Sequence, residues 1–302
     1  MITRRELLAS AIVLPVILGA QSRTRLILLG TGGGPRPRKA SSGSAQVIVR
    51  NDSAYVIDCG DGVARQLVLA DVPLPTLRHI FLTHNHSDHL ADYGNLIWLA
   101  WTAGLRTRVD TWGPPPLART TDLFLEMNAE DIALRTSDEG RVPLPPLIHP
   151  HEIRDAGLVT RDEDITVRAT PVIHPPLPLA FAYRFDAPDR SIVISGDTAK
   201  SDQLVKLAEG ADVLVHSAFY APAIERLIAR VPNAATLRRS IMNGQTSAED
   251  AGRVAQAAGV KTLVLSHLIP PDDPDVTERM WIDAVRPHFK GAIVVGKDLL
   301  EV

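Results

Sequence analysis

The chain has 302 residues, 45% hydrophobic and 22% charged, enough to bury a sizeable core in one large domain or two small ones. A formal net charge of -3, with no Lys/Arg run longer than short pairs such as Arg238-Arg239, lacks the basic excess that gripping many phosphates normally requires. Nucleic acid is therefore a disfavoured partner. The single cysteine, Cys59, excludes an intrachain disulfide and a cysteine-rich zinc finger, so any metal site must be built from imidazole and carboxylate, for which ten histidines are available.

Residues 1–20 set Arg4 and Arg5 ahead of a short apolar run that ends in Ala20. This is the pattern of an export signal, and Thr3-Arg4-Arg5 followed by Leu7-Leu8 resembles the twin-arginine type. The run is too short for a permanent membrane span. The expectation is a periplasmic or secreted protein whose mature domain covers 21–302; if the leader is instead an amphipathic helix, the protein is cytoplasmic.

From residue 25 the sequence reads as one α/β domain. Leu26-Ile27-Leu28-Leu29 is a short strand stopped by a glycine loop, Gly30-Thr31-Gly32-Gly33-Gly34-Pro35. Residues 45–50 and 53–58 form two strands around an Asn51-Asp52 turn, and 62–70 has helical spacing. A strand over 79–83 leads to a helix over 90–103, then a strand over 109–112 and a helix over 117–134. Residues 137–164, rich in Pro, Gly and charge, read as a long surface connection carrying His149 and His151. Strands follow over 165–170, 180–185, 191–195, 213–216 and 262–266, with a capped helix over 247–258 and a last strand over 292–295. Two mixed sheets flanked by helices accommodate this order, and no composition break marks a second domain.

The informative stretch is Thr83-His84-Asn85-His86-Ser87-Asp88-His89, directly after an apolar strand. A spacing of two lets His84 and His86 point the same way on extended backbone, and the chain must then turn to bring in Asp88 and His89. These are ligand types for zinc, and also for iron or manganese. His174, Asp197 and His267 each sit where an apolar strand gives way to a loop, the usual address of functional groups. Gly30–Gly34 lacks the Lys-Ser/Thr of a nucleotide P-loop and reads as a tight turn near the metal edge. Asp58 reads as a structural acceptor behind the histidine loop. Trp98, Trp101 and Trp112 read as core, with an apolar substrate wall as the alternative.

The run His84-x-His86-x-Asp88-His89, followed by His174, Asp197 and His267, resembles the metallo-β-lactamase superfamily, and the likeness extends to Tyr55-Val56-Ile57-Asp58-Cys59-Gly60. The resemblance implies a four-layer αβ/βα sandwich with metals at one edge, nearest to the branch of ribonuclease Z and of arylsulfatase-like and phosphodiesterase-like hydrolases. It implies that His84, His86 and His174 hold one zinc ion, that Asp88, His89 and His267 hold a second, and that Asp197 bridges them; manganese or iron(II) are alternatives. A water between the metals would be the nucleophile, with Asp88 orienting it. Flavo-diiron relatives carry Glu where His86 stands, which weakens a redox di-iron reading.

Ribonuclease Z carries a His-Glu-Ala-Thr-like and a His-Ser-Thr segment, where this chain has His216-Ser217-Ala218-Phe219 and Gln245-Thr246-Ser247. That departure, with the acidic balance and the leader, gives the expectation of a small ester substrate (phosphodiester, sulfate ester or lactone) and disfavours tRNA 3′-processing. An iron-dependent oxygenase or a non-hydrolytic metal-binding protein is the alternative class. His216 is a candidate proton donor to the leaving group, with a structural histidine as the other reading. Relatives of this kind often form homodimers, although no interface is legible in the sequence.

Overall fold

The computed structural model describes residues 23–229 and 232–302; the expected leader at 1–20 lies outside them. Two mixed seven-stranded sheets face each other. The first runs β14 (Leu300–Glu301), β1 (Arg25–Gly30), β2 (Ala45–Arg50), β3 (Ser53–Ile57), β4 (Leu77–Phe81), β5 (Val109–Gly113), β6 (Ile148–Glu152). It is antiparallel from β14 to β3 and parallel from β3 to β6. The second runs β13 (Ala292–Val295), β12 (Thr262–Ile269), β11 (Val213–Phe219), β10 (Ser191–Ile194), β9 (Phe181–Asp186), β8 (Thr166–Pro171), β7 (Gly157–Arg161). It is parallel from β13 to β10 and antiparallel onward.

Helices cover the outer faces: α1 (Val63–Leu69), α2 (Ser87–Leu90), α3 (Tyr93–Thr102), α4 (Leu117–Met127) and α5 (Ala129–Asp138) belong to the first half of the chain. The second half contributes α6 (Asp202–Leu207), α7 (Ile224–Ile228), α8 (Ala234–Gly244), α9 (Ala248–Ala258) and α10 (Glu278–Val285). Both faces of each sheet are therefore buried, which explains the continuous apolar runs in place of alternation. In β1, Leu26 and Leu28 pack between the sheets with Phe81, Tyr183 and Phe185, whereas Ile27 and Leu29 face the helices with Leu67 and Trp101. A third apolar layer joins the second sheet to α9 and α10 through Leu214, Leu263, Val254 and Trp281.

The expected helix over 117–134 is two helices meeting at Asn128, whose side-chain amide donates to Phe124 O and competes with the backbone ladder. The expected surface connection over 137–164 contains β6 and β7. Both are edge strands, and edge strands tolerate the Pro150 and charged residues that hide the apolar period. His151 lies in β6, where Nε2 meets Asp110 Oδ1 at 2.6 Å and the ring stacks on Trp112. Trp101 is core, and Trp98 and Trp112 are half-buried against the same packing layers.

Candidate metal centre

The strand ends converge on one edge of the sandwich. Asp58, just past β3 at φ 59°, accepts from Thr83 N (2.8 Å) and Thr83 Oγ1 (2.9 Å), and its Oδ2 lies 2.7 Å from His89 Nδ1. This fixes the proton of His89 on Nδ1 and turns Nε2 inward. His86 is extended at φ -73° and ψ 148°, and the turn begins at Ser87, so Asp88 and His89 rise on α2 beside His84 and His86. Thr83 Oγ1 holds His84 Nδ1 at 3.0 Å, and Gly244 O holds His174 Nδ1 at 2.7 Å, so these two rings also present Nε2.

Two triads result. His86 Nδ1 lies 3.1 Å from both His84 Nε2 and His174 Nε2, three ring nitrogens turned toward one point. Asp88 Oδ2 lies 3.1 Å from His267 Nε2 and 3.7 Å from His89 Nε2. Asp197 sits between them: Oδ2 is 3.3 Å from His267 and 3.9 Å from His174, and Oδ1 is 3.6 Å from His89. His267 reaches the centre through a β-bulge. Ser266 pairs Ser217 and Leu268 pairs Ala218, leaving His267 as the extra residue at φ 45°, a strained geometry of the kind concentrated at functional sites.

The donor set fits cations. Among the described residues His89 Nε2 and Asp197 Oδ1 are buried with no hydrogen-bond partner, which buried polar atoms rarely tolerate and a cation between them would satisfy. Burial holds His84 well below its ordinary pKa and lowers His86, so both are neutral ligands. Burial pushes Asp88 and Asp197 upward, yet the adjoining histidines, His267 first, outweigh it and hold both below the usual carboxylate range. Burial likewise pushes His89 down, and the Asp58 and Asp197 charges carry it well above. Metal uptake must displace that proton, so affinity weakens as pH falls.

The cleft over the triads has Gly34 and Pro35 on one wall and Leu237, Ser240 and Ile241 of α8 on the other, with Gln245 at its base. Gly34 N donates to Asp88 Oδ2 at 2.9 Å, so the glycine loop touches the metal edge. The sequence reading noted Gln245 only as a departure from the ribonuclease Z pattern and did not point to α8, which carries only a narrow apolar stripe, Leu237 and Ile241, and loses its period among polar residues.

His216 is not brought to the cleft. In β11 it shares the helix-facing side with Leu214 and Ala218, where it is 0% exposed and its Nε2 has no hydrogen-bond partner among the described residues. Burial lowers its pKa from 6.5 to about 4. The folded state therefore refuses a proton that the unfolded chain accepts, and stability is lost as pH falls from about 6.5 toward 4. His216→Leu should reduce the acid loss between pH 7 and pH 5 by about 2 kcal/mol in urea unfolding, and an unchanged difference would contradict this.

A family model described as the beta-lactamase superfamily domain matches residues 54–268. The chain belongs to that superfamily. A ribonuclease Z of Mycobacterium bovis is 31% identical over 280 residues, 92% of this chain and 97% of the relative. One from a Mycobacterium species is 32% identical over 277 residues, 91% and 94%. Among solved structures, the metallo-β-lactamase-fold protein YhfI of Bacillus subtilis aligns with TM-score 0.67 at 20% identity, over 92% of this chain and 98% of that one. Human short-form tRNase Z aligns with TM-score 0.66, also at 20% identity and with the same coverage. These likenesses support the ribonuclease Z branch of the superfamily, and the chain is a metal-dependent hydrolase acting on ester bonds.

The relatives overturn two expectations, a small-molecule ester substrate and nucleic acid as an unlikely partner: proteins named ribonuclease Z match this superfamily member along nearly their whole length. Net charge misled because it averages over the surface and does not report a local cation such as exposed Arg36, the chain neighbour of Pro35 in the cleft lining. The Ser217 and Gln245 differences also misled. They change the protonating pair that ribonuclease Z carries, and leave the metal edge in place.

Proposed function

We propose that this chain cleaves a phosphodiester bond of RNA in the manner of ribonuclease Z, with two zinc ions held by the seven converging side chains. The conjunction that carries the reading is a pair of triads with Asp197 between them, within a chain that matches a ribonuclease Z over 92% of its length. His84, His86 and His174 would hold one ion, and Asp88, His89 and His267 the other. When bound, the cations supply a water deprotonated near neutral pH and polarise a phosphoryl oxygen.

The chain's own residues do the rest. Asp88, ionised and on the cleft wall, accepts a hydrogen bond from the attacking water and sets its direction. Asp58 and Thr83 hold the ligand rings rigid. Arg36, exposed and next in the chain to Pro35 of the cleft lining, takes a phosphate flanking the scissile bond, and Leu237 and Ile241 offer an apolar wall to a base. Ser217 and Gln245 carry no group that titrates near neutral pH, so the leaving oxygen is not protonated from those positions.

The variant Arg36→Ala tests the RNA assignment. It should lower kcat/KM for a 3′-extended RNA and flatten the salt slope by about 1, leaving bis(p-nitrophenyl) phosphate hydrolysis unchanged. Equal loss on both substrates, or loss on neither, would remove the proposed role of this cation.

A further inference from the structure

We propose that Gln245 is a positioning residue for the metal centre: its uncharged side-chain amide locks the Asp197 carboxylate in the orientation that places it between the two triads. The proposal rests on the reading of Asp197 as a metal ligand.

Three consecutive residues grip the site at the end of α8. The Gly244 carbonyl accepts from His174 Nδ1 at 2.7 Å, and a Cβ at Gly244 would crowd that nitrogen at 3.2 Å. Gln245, only 9% exposed, donates from Nε2 to Asp197 Oδ2 at 2.6 Å. Thr246 Oγ1 donates to Thr198 O at 2.6 Å, and Thr246 O accepts from Phe219 N at 3.0 Å. The segment is seated from above, because Ile241 and Leu237 of α8 pack with Phe219, Ile224 and Ile269.

The geometry leaves Asp197 little freedom. A carboxylate on a short side chain can swing about its last torsion, exchanging its two oxygens between neighbours. Here the Gln245 N–H fixes Oδ2 and so aims Oδ1, which has no hydrogen-bond partner among the described residues, at His89. An amide is a donor at every pH, so the orientation does not depend on a protonation state. Partners that orient a ligand in this way commonly contribute 10–100-fold to metal affinity.

The test is zinc affinity of the full chain, measured by competition with a chromophoric chelator, with Asp197→Asn as reference. Gln245→Leu and Gln245→Asn, the latter one methylene too short to reach, should each lower zinc affinity about 10–100-fold. Gln245→His, whose ring N–H can donate to the same oxygen, should stay close to the unmodified chain. If Leu fails to fold, the Asn variant decides. Unchanged affinity in the Leu or Asn variant, with zinc lost from Asp197→Asn, would overturn the role of Gln245 and leave the centre standing. Loss in the His variant equal to that in Leu would also overturn it, because donation would then be irrelevant. Unchanged affinity in Asp197→Asn would instead overturn the reading of Asp197 as a ligand.

Discussion

Replacing His84 with alanine is expected to lower turnover by about three orders of magnitude and to strip metal from its triad. His84 is wholly buried, its Nδ1 is held by Thr83, and its Nε2 points at both His86 and Asp197, so it belongs to two of the three ligand groups at this edge. Metal-ion catalysis supplies several kcal/mol of transition-state stabilisation, and each 1.36 kcal/mol is a factor of ten, which together give on the order of 10³. Ligand loss can be told apart from general damage by melting the chain with and without zinc. A metal that binds only the folded state raises Tm, so the unmodified chain should gain and the variant should gain much less. Full zinc content and normal turnover in the variant would remove His84 from the site.

Asp58→Ala is the second large effect, and it acts without touching a metal. Asp58 accepts from the Thr83 backbone and hydroxyl and pairs with His89 Nδ1, and all three residues are buried. Truncation leaves a buried N–H and a buried imidazole without partners, which costs about 3–5 kcal/mol of stability. It also frees the His89 ring, so zinc affinity should fall at least about 10–100-fold. Asp58→Asn separates the two consequences. It keeps the shape and can still accept from Thr83, but an amide donor facing His89 Nδ1 shifts the imidazole proton to Nε2, where it blocks metal binding. The asparagine variant should therefore unfold close to the unmodified chain in urea and still bind zinc poorly. Normal zinc affinity in Asp58→Asn would show that Asp58 does not set the His89 tautomer.

Much of this was legible in the sequence, and the rest has identifiable causes. The strand preceding His84, the turn at Ser87 and the strand end before Asp197 follow from apolar runs broken by polar residues, whereas the strand expected to stop before His267 continues through it to Ile269. The bulge at His267 was not legible, since register is a property of two strands and only the pairing of β12 with β11 shows it. Gln245 was passed over as a lost histidine. Its contact with Asp197 is set by where α8 ends, which local pattern does not report. For His216 the sequence left two readings open, proton donor or structural histidine, because an imidazole after an apolar run does not show its side; strand alternation turns it to the helix side. Substrate class failed for a different reason, because a whole-chain charge of -3 says nothing of where single cations such as exposed Arg36 sit.

The most direct measurement combines metal content with RNA cleavage on one preparation of the full chain. Metal is quantified by mass spectrometry, and a 3′-labelled, 3′-extended tRNA precursor is then incubated with the protein, with and without chelator. The account predicts about two zinc ions per chain and a defined cut that is lost with the chelator and restored by zinc. A zinc-loaded chain that leaves the RNA intact would contradict the central claim.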